Sequence, residues 1–206
     1  MSLRIPRGWC TIGLALTLGA AGTLLSPAAI AQQKFDIKPV AEKKLKLLPA
    51  GPLYWRIEQF PTLTQAQAVA GETSLAAEVS GKAWLFTLGA KGGTTPGASK
   101  AAAEIGPVPV IAAPEYLLRI NHAGGPPGSK TPVHSHPGSE AFYVLTGRLG
   151  MKTPHGMMYA DAGRTMNGHH ADMPMEVFNA GTVDLDQLVM FVVDATRPFS
   201  SPAKFE

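Results

Sequence analysis

The chain has 206 residues, of which 45% are hydrophobic and 16% are charged, so it contains enough apolar material for the core of one domain. Its formal charge of +3 comes from an N-terminal leader and a Lys-rich segment over residues 34–46, and the remaining sequence holds more acidic than basic residues. A nucleic-acid partner is therefore excluded for lack of a basic face. Heptads, short repeats and a second long apolar segment are also absent from the sequence, which excludes a coiled coil, a solenoid and a polytopic membrane protein.

The first 31 residues have the parts of a secretory signal peptide. Arg4 and Arg7 precede an uncharged apolar stretch, and an Ala-Ile-Ala site ends at Ala31, which makes Gln32 the expected N-terminus of the mature chain. The alternative is an uncleaved membrane anchor, which the short and weakly hydrophobic stretch disfavours. We therefore expect a periplasmic or secreted protein with no stable membrane span after cleavage.

Cysteine is almost absent from this sequence. Cys10 is the only one, and it lies within the predicted leader. The mature chain should therefore have neither a disulfide nor a thiol, and any metal site in it must use His, carboxylate or Met side chains.

The first half of the mature chain reads as an addition to a domain rather than as a domain by itself. Residues 32–52 are Lys-rich and predict an extended basic arm. Residues 53–113 predict strands, one short helix and a long Gly- and Pro-rich loop. The individual elements are strands over Leu53–Glu58, Ser74–Val79 and Ala83–Leu88, a helix over Gln65–Ala70 and a loop over Gly89–Pro109.

The second half of the chain, residues 114–195, is strand-like throughout, with Gly or Pro clusters at short and regular spacing. This pattern predicts an antiparallel sandwich or barrel. Residues 196–206 predict an irregular tail. The strand-like segments are Tyr116–His122, Glu140–Thr146, Leu149–Thr153, Gly156–Ala160, Met175–Asn179 and Leu185–Val193.

The second half also holds all six histidines of the chain, and two of them form a His-x-His pair. Residues two apart on a strand point to the same face, so His134 and His136 should present their imidazoles side by side. A Pro-Gly turn follows, and Glu140 re-enters on the next strand, where its carboxylate can meet the imidazoles. Two His and one carboxylate predict a metal site with open positions, at which Glu140 could also accept a proton.

These residues occur in a longer pattern that resembles the first motif of the cupin family. That motif consists of a Gly, five residues, His-x-His, three or four residues, a Glu, six residues and a Gly. The matching residues are Gly128, His134, His136, Glu140 and Gly147. The resemblance covers about residues 115–194 and is closest to single-domain members with one barrel. It implies an all-β fold, a cupin-type double-stranded β-helix or jelly-roll barrel with the metal inside, here with an N-terminal extension of strands and one short helix.

The second cupin motif is degenerate in this chain. Gly163 fits its opening Gly and Asn179 its closing Asn, but Met175 occupies the position of the usual fourth ligand. The fourth metal position could be filled by the sulfur of Met175, by His169 or His170 from a nearby loop, or by water. We expect water, with Met175 packed as an apolar wall, because a thioether binds well only to a soft metal.

The alternation along the strand that carries Glu140 also predicts the wall of a pocket. Phe142 and Val144 have the same parity as Glu140 and should line the barrel, whereas Tyr143 should point to the other side.

The motif and the family resemblance leave two classes of function, an enzyme and a binding protein. The resemblance implies one divalent transition metal, Fe, Mn, Ni, Cu or Zn, and a small organic ligand or substrate, with oxygen-dependent oxidation as the leading reaction and isomerase or lyase chemistry also compatible. The alternative is a non-catalytic protein of the periplasm that binds a metal or a small molecule, including copper handling through His and Met. The sequence is compatible with a monomer or a homodimer.

Overall fold

The structure is a computed structural model that describes residues 1–3 and 33–206. The predicted signal peptide falls almost entirely on residues 4–32, outside the described part. Residues 33–206 belong to one compact unit. In the described part of the chain, no helix has the length and apolar character needed to cross a membrane.

The N-terminal part of this unit holds five strands and one helix. They are β1 (Asp36–Leu45), β2 (Tyr54–Phe60), α1 (Leu63–Ala68), β3 (Ser74–Val79), β4 (Lys82–Gly89) and β5 (Lys100–Ile105). Thr62 caps the start of the helix, since its hydroxyl accepts a hydrogen bond from the backbone N–H of Gln65.

The remainder of the unit consists of nine further strands. They are β6 (Tyr116–Gly125), β7 (His134–Ser135), β8 (Gly138–Thr146), β9 (Arg148–Thr153), β10 (Gly156–Asp161), β11 (Thr165–Asn167), β12 (Glu176–Asn179), β13 (Leu185–Asp194) and β14 (Ser201–Pro202).

The strands form three layers with the longest sheet in the middle. The central sheet has the order β1-β6-β13-β8-β11 and is antiparallel. One face packs on the sheet β3-β4-β2-β5, and the other packs on β10-β9-β12. The short pair β7-β14 continues the latter sheet, because β7 bridges to the residue before β12. The layers on that side form the jelly-roll barrel, with the N-terminal sheet outside it.

Strand β13 shows why the central sheet is covered on both faces. Its side chains alternate between two apolar clusters: Leu188, Met190 and Val192 pack toward the N-terminal sheet, whereas Val189 and Phe191 pack into the barrel. A strand that is buried on both sides reads as a continuous apolar run. The prediction of an all-β fold with a jelly-roll barrel, added strands and one short helix is confirmed.

Two segments differ from the expectations for the first half of the chain. The predicted loop over Gly89–Pro109 contains β5, which pairs with β2 and places Ile105 opposite the buried Trp55. The Ala-rich sequence of β5 has low intrinsic strand propensity, so pairing with β2 outweighs it. The extended arm over residues 32–52 contains β1, which is the edge strand beside β6.

Candidate functional site

The two imidazoles of the His-x-His pair lie close to each other. Backbone hydrogen bonds of 2.9 and 2.8 Å join His134 to Met175 and fix the start of β7. The ring centroids of His134 and His136 lie 5.0 Å apart. Glu140 follows on β8, and its Oε2 lies 3.9 Å from Nε2 of His136. The three side chains that the motif predicts to converge are therefore close together.

Both imidazoles have the same tautomer, set by backbone carbonyls. Nδ1 of His134 lies 2.8 Å from the carbonyl oxygen of Pro132, and Nδ1 of His136 lies 2.6 Å from that of Phe199. A carbonyl oxygen can only accept, so each Nδ1 carries the hydrogen and donates it. The lone pair of each Nε2 is left free, which is the arrangement that metal-binding histidines have.

Glu140 is a buried carboxyl group without a compensating partner. Its side chain is 3% exposed, and Oε1 has no hydrogen-bond partner. Burial raises the pKa of Glu140 to about 8 and lowers the pKa of His136 to about 4. Burial also lowers the pKa of His134. Without a bound cation, all three groups are therefore neutral near pH 7.

The site opens into a cavity of about 320 Å³ between the two layers of the barrel. Its wall is mostly apolar, and the titratable side chains in its lining are the three just described. The lining residues are Phe35, Ile37, Asn121, Ala123, Thr131, Pro132, Val133, His134, His136, Glu140, Phe142, Val177, Gln187, Val189, Phe191, Phe199, Ser200 and Pro202.

The three predicted ligands do not form a finished metal cage. In the described part of the chain, no group of three or more His, Cys, Asp or Glu side chains is already arranged to hold a metal ion. Ligands around one ion with bonds of about 2.1 Å lie roughly 3–3.5 Å from each other, so the 3.9 Å between His136 and Glu140 is somewhat too long. The chemistry of the donor set fits a divalent metal, and the Glu140 carboxylate would have to lie closer to the imidazoles to complete the site.

Of the residues predicted to surround the three ligands, only some line the cavity. Phe142 lines the cavity, whereas Val144 is fully buried in the same apolar cluster without lining it. Met175 is 2% exposed and packs in that cluster. His169 is half-buried, His170 is exposed, and neither lines the cavity. The identity of a fourth ligand stays a prediction.

Other side chains of the second half serve the packing of the fold. Tyr143 points away from the cavity, as predicted, and its ring contacts Trp84 of the N-terminal sheet edge-on at 6.2 Å. His122 lies in a surface cleft, where its Nε2 is 2.5 Å from a carboxylate oxygen of Asp186. Asn179, which fits the closing Asn of the second motif, hydrogen-bonds through its side chain to three backbone groups. It fastens the turn before β13.

The C-terminal tail is the part of the site that the sequence analysis missed. Phe199 lines the cavity, and its ring packs at 4.8 Å from that of His136 and at 5.0 Å from that of Phe191. The guanidinium of Arg119 lies 4.1 Å from the centre of the same ring. β14 then pairs with β7, opposite His134. Nothing in the composition of an eleven-residue tail indicates such a contact.

Comparisons with known proteins give a limited result. No protein-family model matches this chain, and the search of curated proteins finds no match. Similar solved structures do exist. Crystal structures of the DMSP lyases RdDddP and RnDddQII give 21% identity over 42% of this chain and 44% of that one, with a TM-score of 0.36.

Two further structures are similar to the same extent. A cupin superfamily protein from Desulfitobacterium hafniense DCB-2 gives 12% identity over 37% of this chain and 68% of that one, with a TM-score of 0.34. The polyketide cyclase RemF from Streptomyces resistomycificus gives 19% identity over 43% of this chain and 62% of that one, with a TM-score of 0.36.

All three TM-scores lie below 0.5. This chain covers less than half of the DMSP lyase chain.

Proposed function

We propose that this chain is an exported metal-binding protein with a cupin-type barrel, which binds a small organic molecule in the cavity beside the metal. His134, His136 and Glu140 would hold one divalent transition metal. The observation that carries the proposal is the pair of free Nε2 lone pairs beside an unpartnered carboxylate oxygen in an apolar cavity.

The chain's own residues account for how such a site would work. The carbonyls of Pro132 and Phe199 orient the two imidazoles, and the buried position of Glu140 keeps bulk water from its carboxylate. A bound cation would compensate the desolvation of that carboxylate, which has no other partner for Oε1. A transition metal in this position would supply Lewis-acid or redox chemistry.

An oxidoreductase is the enzyme class that we favour for this site, and Glu140 is the group that could accept a proton from a substrate. Catalysis would have to rely on the metal and its ligands, because the cavity lining offers no further Asp, Lys, Tyr or Cys side chain. The same observation supports the second candidate, a binding protein without turnover. Copper handling has less support, because no methionine is among the residues that line the cavity.

Metal titration of the purified mature chain tests this proposal. Elemental analysis and calorimetry with Mn, Fe, Ni, Cu and Zn should give one metal per chain. His134→Ala, His136→Ala and Glu140→Gln should each lower the occupancy sharply and leave the circular dichroism of the β fold unchanged. His155→Ala is the matched control, because His155 is exposed and lies outside the cavity. Unchanged occupancy in the three variants would exclude the site.

Turnover is measured separately on the metal-loaded protein. Oxygen consumption with a panel of phenolic and dicarbonyl compounds would support the oxidoreductase. Tight metal binding without any consumption would support the binding protein.

Export is tested by N-terminal sequencing of the protein after secretion. A mature chain that begins at Gln32 supports cleavage after Ala31. A chain that keeps Met1 and stays with the membrane would show an anchor.

A further inference from the structure

Two buried amide side chains of the central sheet lie in the wall of the cavity. Gln187 is fully buried and Asn121 is 3% exposed, and both line the cavity. Neither Oε1 nor Nε2 of Gln187 has a hydrogen-bond partner, and Oδ1 of Asn121 has none either.

The register of the central sheet places these amides next to each other. Asn121 on β6 is opposite Val189 of β13, and Gln187 comes two residues before Val189 on that strand. Both side chains point to the barrel side, since residues two apart on a strand share a face. On neighbouring strands, such diagonal positions are within reach of long side chains. The two amides therefore form one polar patch in an otherwise apolar wall.

Unpartnered amides at such positions are costly to the fold. A buried polar group without a hydrogen bond loses its hydration and gains nothing in return. The neighbouring inward positions of β13, Val189 and Phe191, are apolar and pack in the barrel cluster. A Leu or Met in place of Gln187 would pack there without an unpaired polar atom. Hydrogen bonds from a bound ligand would offset the cost of keeping the Gln187 amide at this position.

We propose that Asn121 and Gln187 form a binding subsite for the polar group of a neutral small molecule. The fully buried atoms without a partner are two acceptors, Oδ1 of Asn121 and Oε1 of Gln187, and one donor, Nε2 of Gln187. Their complement is a group that donates two hydrogen bonds and accepts one, as a primary carboxamide or a pair of adjacent hydroxyls does. The rest of the ligand is apolar, to match the cavity wall. This subsite deepens the proposed function, since it lies in the same cavity.

The test uses benzamide as the probe and methyl benzoate as its counterpart. Both carry the same ring and a carbonyl acceptor, but only benzamide donates hydrogen bonds. The mature chain should bind benzamide about tenfold more tightly, the ratio expected when the pairing of a buried hydrogen-bonding group is gained or lost. A second arm with cis-1,2-cyclohexanediol and its dimethyl ether distinguishes hydroxyl recognition from amide recognition. Binding is followed by calorimetry and by ligand-observed NMR.

Gln187→Met is the informative variant, because it keeps the length of the side chain and removes both polar atoms. It should abolish the preference for benzamide and should raise the melting temperature, since an unpaired amide is replaced by an apolar group. Asn121→Leu should act in the same direction. Gln59→Met is the control, because Gln59 lies on β2 of the N-terminal sheet, outside the cavity.

Metal stoichiometry is measured on the same samples, so that the two proposals can fail separately. If neither benzamide nor the diol is preferred over its methylated counterpart, the subsite is excluded, whether or not the metal binds. A melting temperature that falls in Gln187→Met while the benzamide preference persists would show that the amide is structural, and would also overturn the proposal. Loss of metal binding alone would count only against the metal site.

Discussion

Nδ1 of His136 donates a hydrogen bond of 2.6 Å to the backbone carbonyl of Phe199, a residue 63 positions further along the chain. The bond joins a buried imidazole of the cavity wall to the C-terminal tail. The tail therefore takes part in orienting a predicted metal ligand.

Phe199→Ala tests this relationship through the ring that holds the tail in place. The half-buried ring packs on His136 and under the guanidinium of Arg119, so its loss should lower the free energy of unfolding by about 2 kcal/mol. Metal affinity should fall by about tenfold, as is typical when the group that orients a ligand is disturbed. Isothermal titration and thermal unfolding measure the two effects.

Phe205→Ala is the control for this prediction. Phe205 belongs to the same tail but contacts Lys152 on β9, outside the cavity lining. It should change the metal affinity by less than about twofold. An equal loss in both variants would mean that the tail acts only through general stability.

Gly168→Ala should displace the backbone of Glu140, the predicted carboxylate ligand. The amide of Gly168 donates a hydrogen bond of 2.9 Å to the carbonyl of Glu140, and a Cβ at this position would clash with that carbonyl and lie 2.6 Å from Cγ of Glu140. Because one of these contacts is backbone, the strand must shift, at a cost of about 1–3 kcal/mol. We expect weaker metal binding, measured by competition with a chromophoric chelator.

Gly89→Ala provides the matched substitution, since a Cβ at Gly89 meets nothing within 4 Å. It should leave both stability and metal binding near those of the parent chain. Parent-like metal affinity in Gly168→Ala would show that Glu140 can move without consequence.

The meeting of the site residues could be predicted from the sequence because it depends on local geometry. His134 and His136 are two residues apart, and Glu140 follows a Pro-Gly turn, so strand periodicity and one turn bring them together. The alternation along β8 has the same origin: Phe142 lines the cavity, and Tyr143 contacts Trp84 on the other side of the strand.

The contributions of Phe199 and of β5 could not be predicted in this way, because they depend on contacts between distant parts of the chain. β5 becomes a strand through its pairing with β2, although its alanines have low strand propensity. Gln187 did carry a signal: it has the same parity as Val189 and Phe191 on an apolar strand, and a polar residue at an inward position marks a candidate binding group.

Glu58 gives a prediction for the pH dependence of stability. This fully buried carboxylate accepts hydrogen bonds from the backbone N–H and the hydroxyl of Thr95, at 2.8 and 2.6 Å, and from Nε of Arg56 at 3.1 Å. Burial acts to raise the pKa of Glu58, but these donors outweigh it and hold the pKa below the ordinary value of 4.5. The stabilisation is therefore fully present above the pKa of the unfolded chain and is lost as the pH falls through the folded pKa.

Glu58→Gln should accordingly destabilise the chain by about 2 kcal/mol at pH 7, and by less at pH 3, which lies below the pKa of a Glu carboxyl in the unfolded chain. Urea unfolding followed by the fluorescence of the buried Trp55 and Trp84 measures both values. Glu78→Gln is the control, because Glu78 is exposed on β3. A difference between parent and Glu58→Gln that is constant from pH 7 to pH 3 would contradict the assignment.

Met175→Leu addresses the fourth metal position, where the chain departs from the cupin pattern. The side chain of Met175 packs in the barrel cluster and does not line the cavity, while its backbone pairs with His134. Leu has nearly the same volume as Met, so the substitution should lower the free energy of unfolding by less than about 1.5 kcal/mol. The backbone bonds to His134 are independent of the side chain, so the first ligand should stay in place. We therefore expect nearly full metal occupancy and an unchanged order of metal preference.

The informative comparison is between copper and a harder ion. If the sulfur of Met175 ligated the metal, its removal would weaken copper binding and leave manganese binding unchanged, because a thioether is a soft ligand. If water holds the position, the affinities for both ions should change by the same small factor. Competitive titration of Met175→Leu with the two ions decides between these outcomes. A selective loss of copper affinity would overturn our expectation and favour copper handling over metal-dependent oxidation.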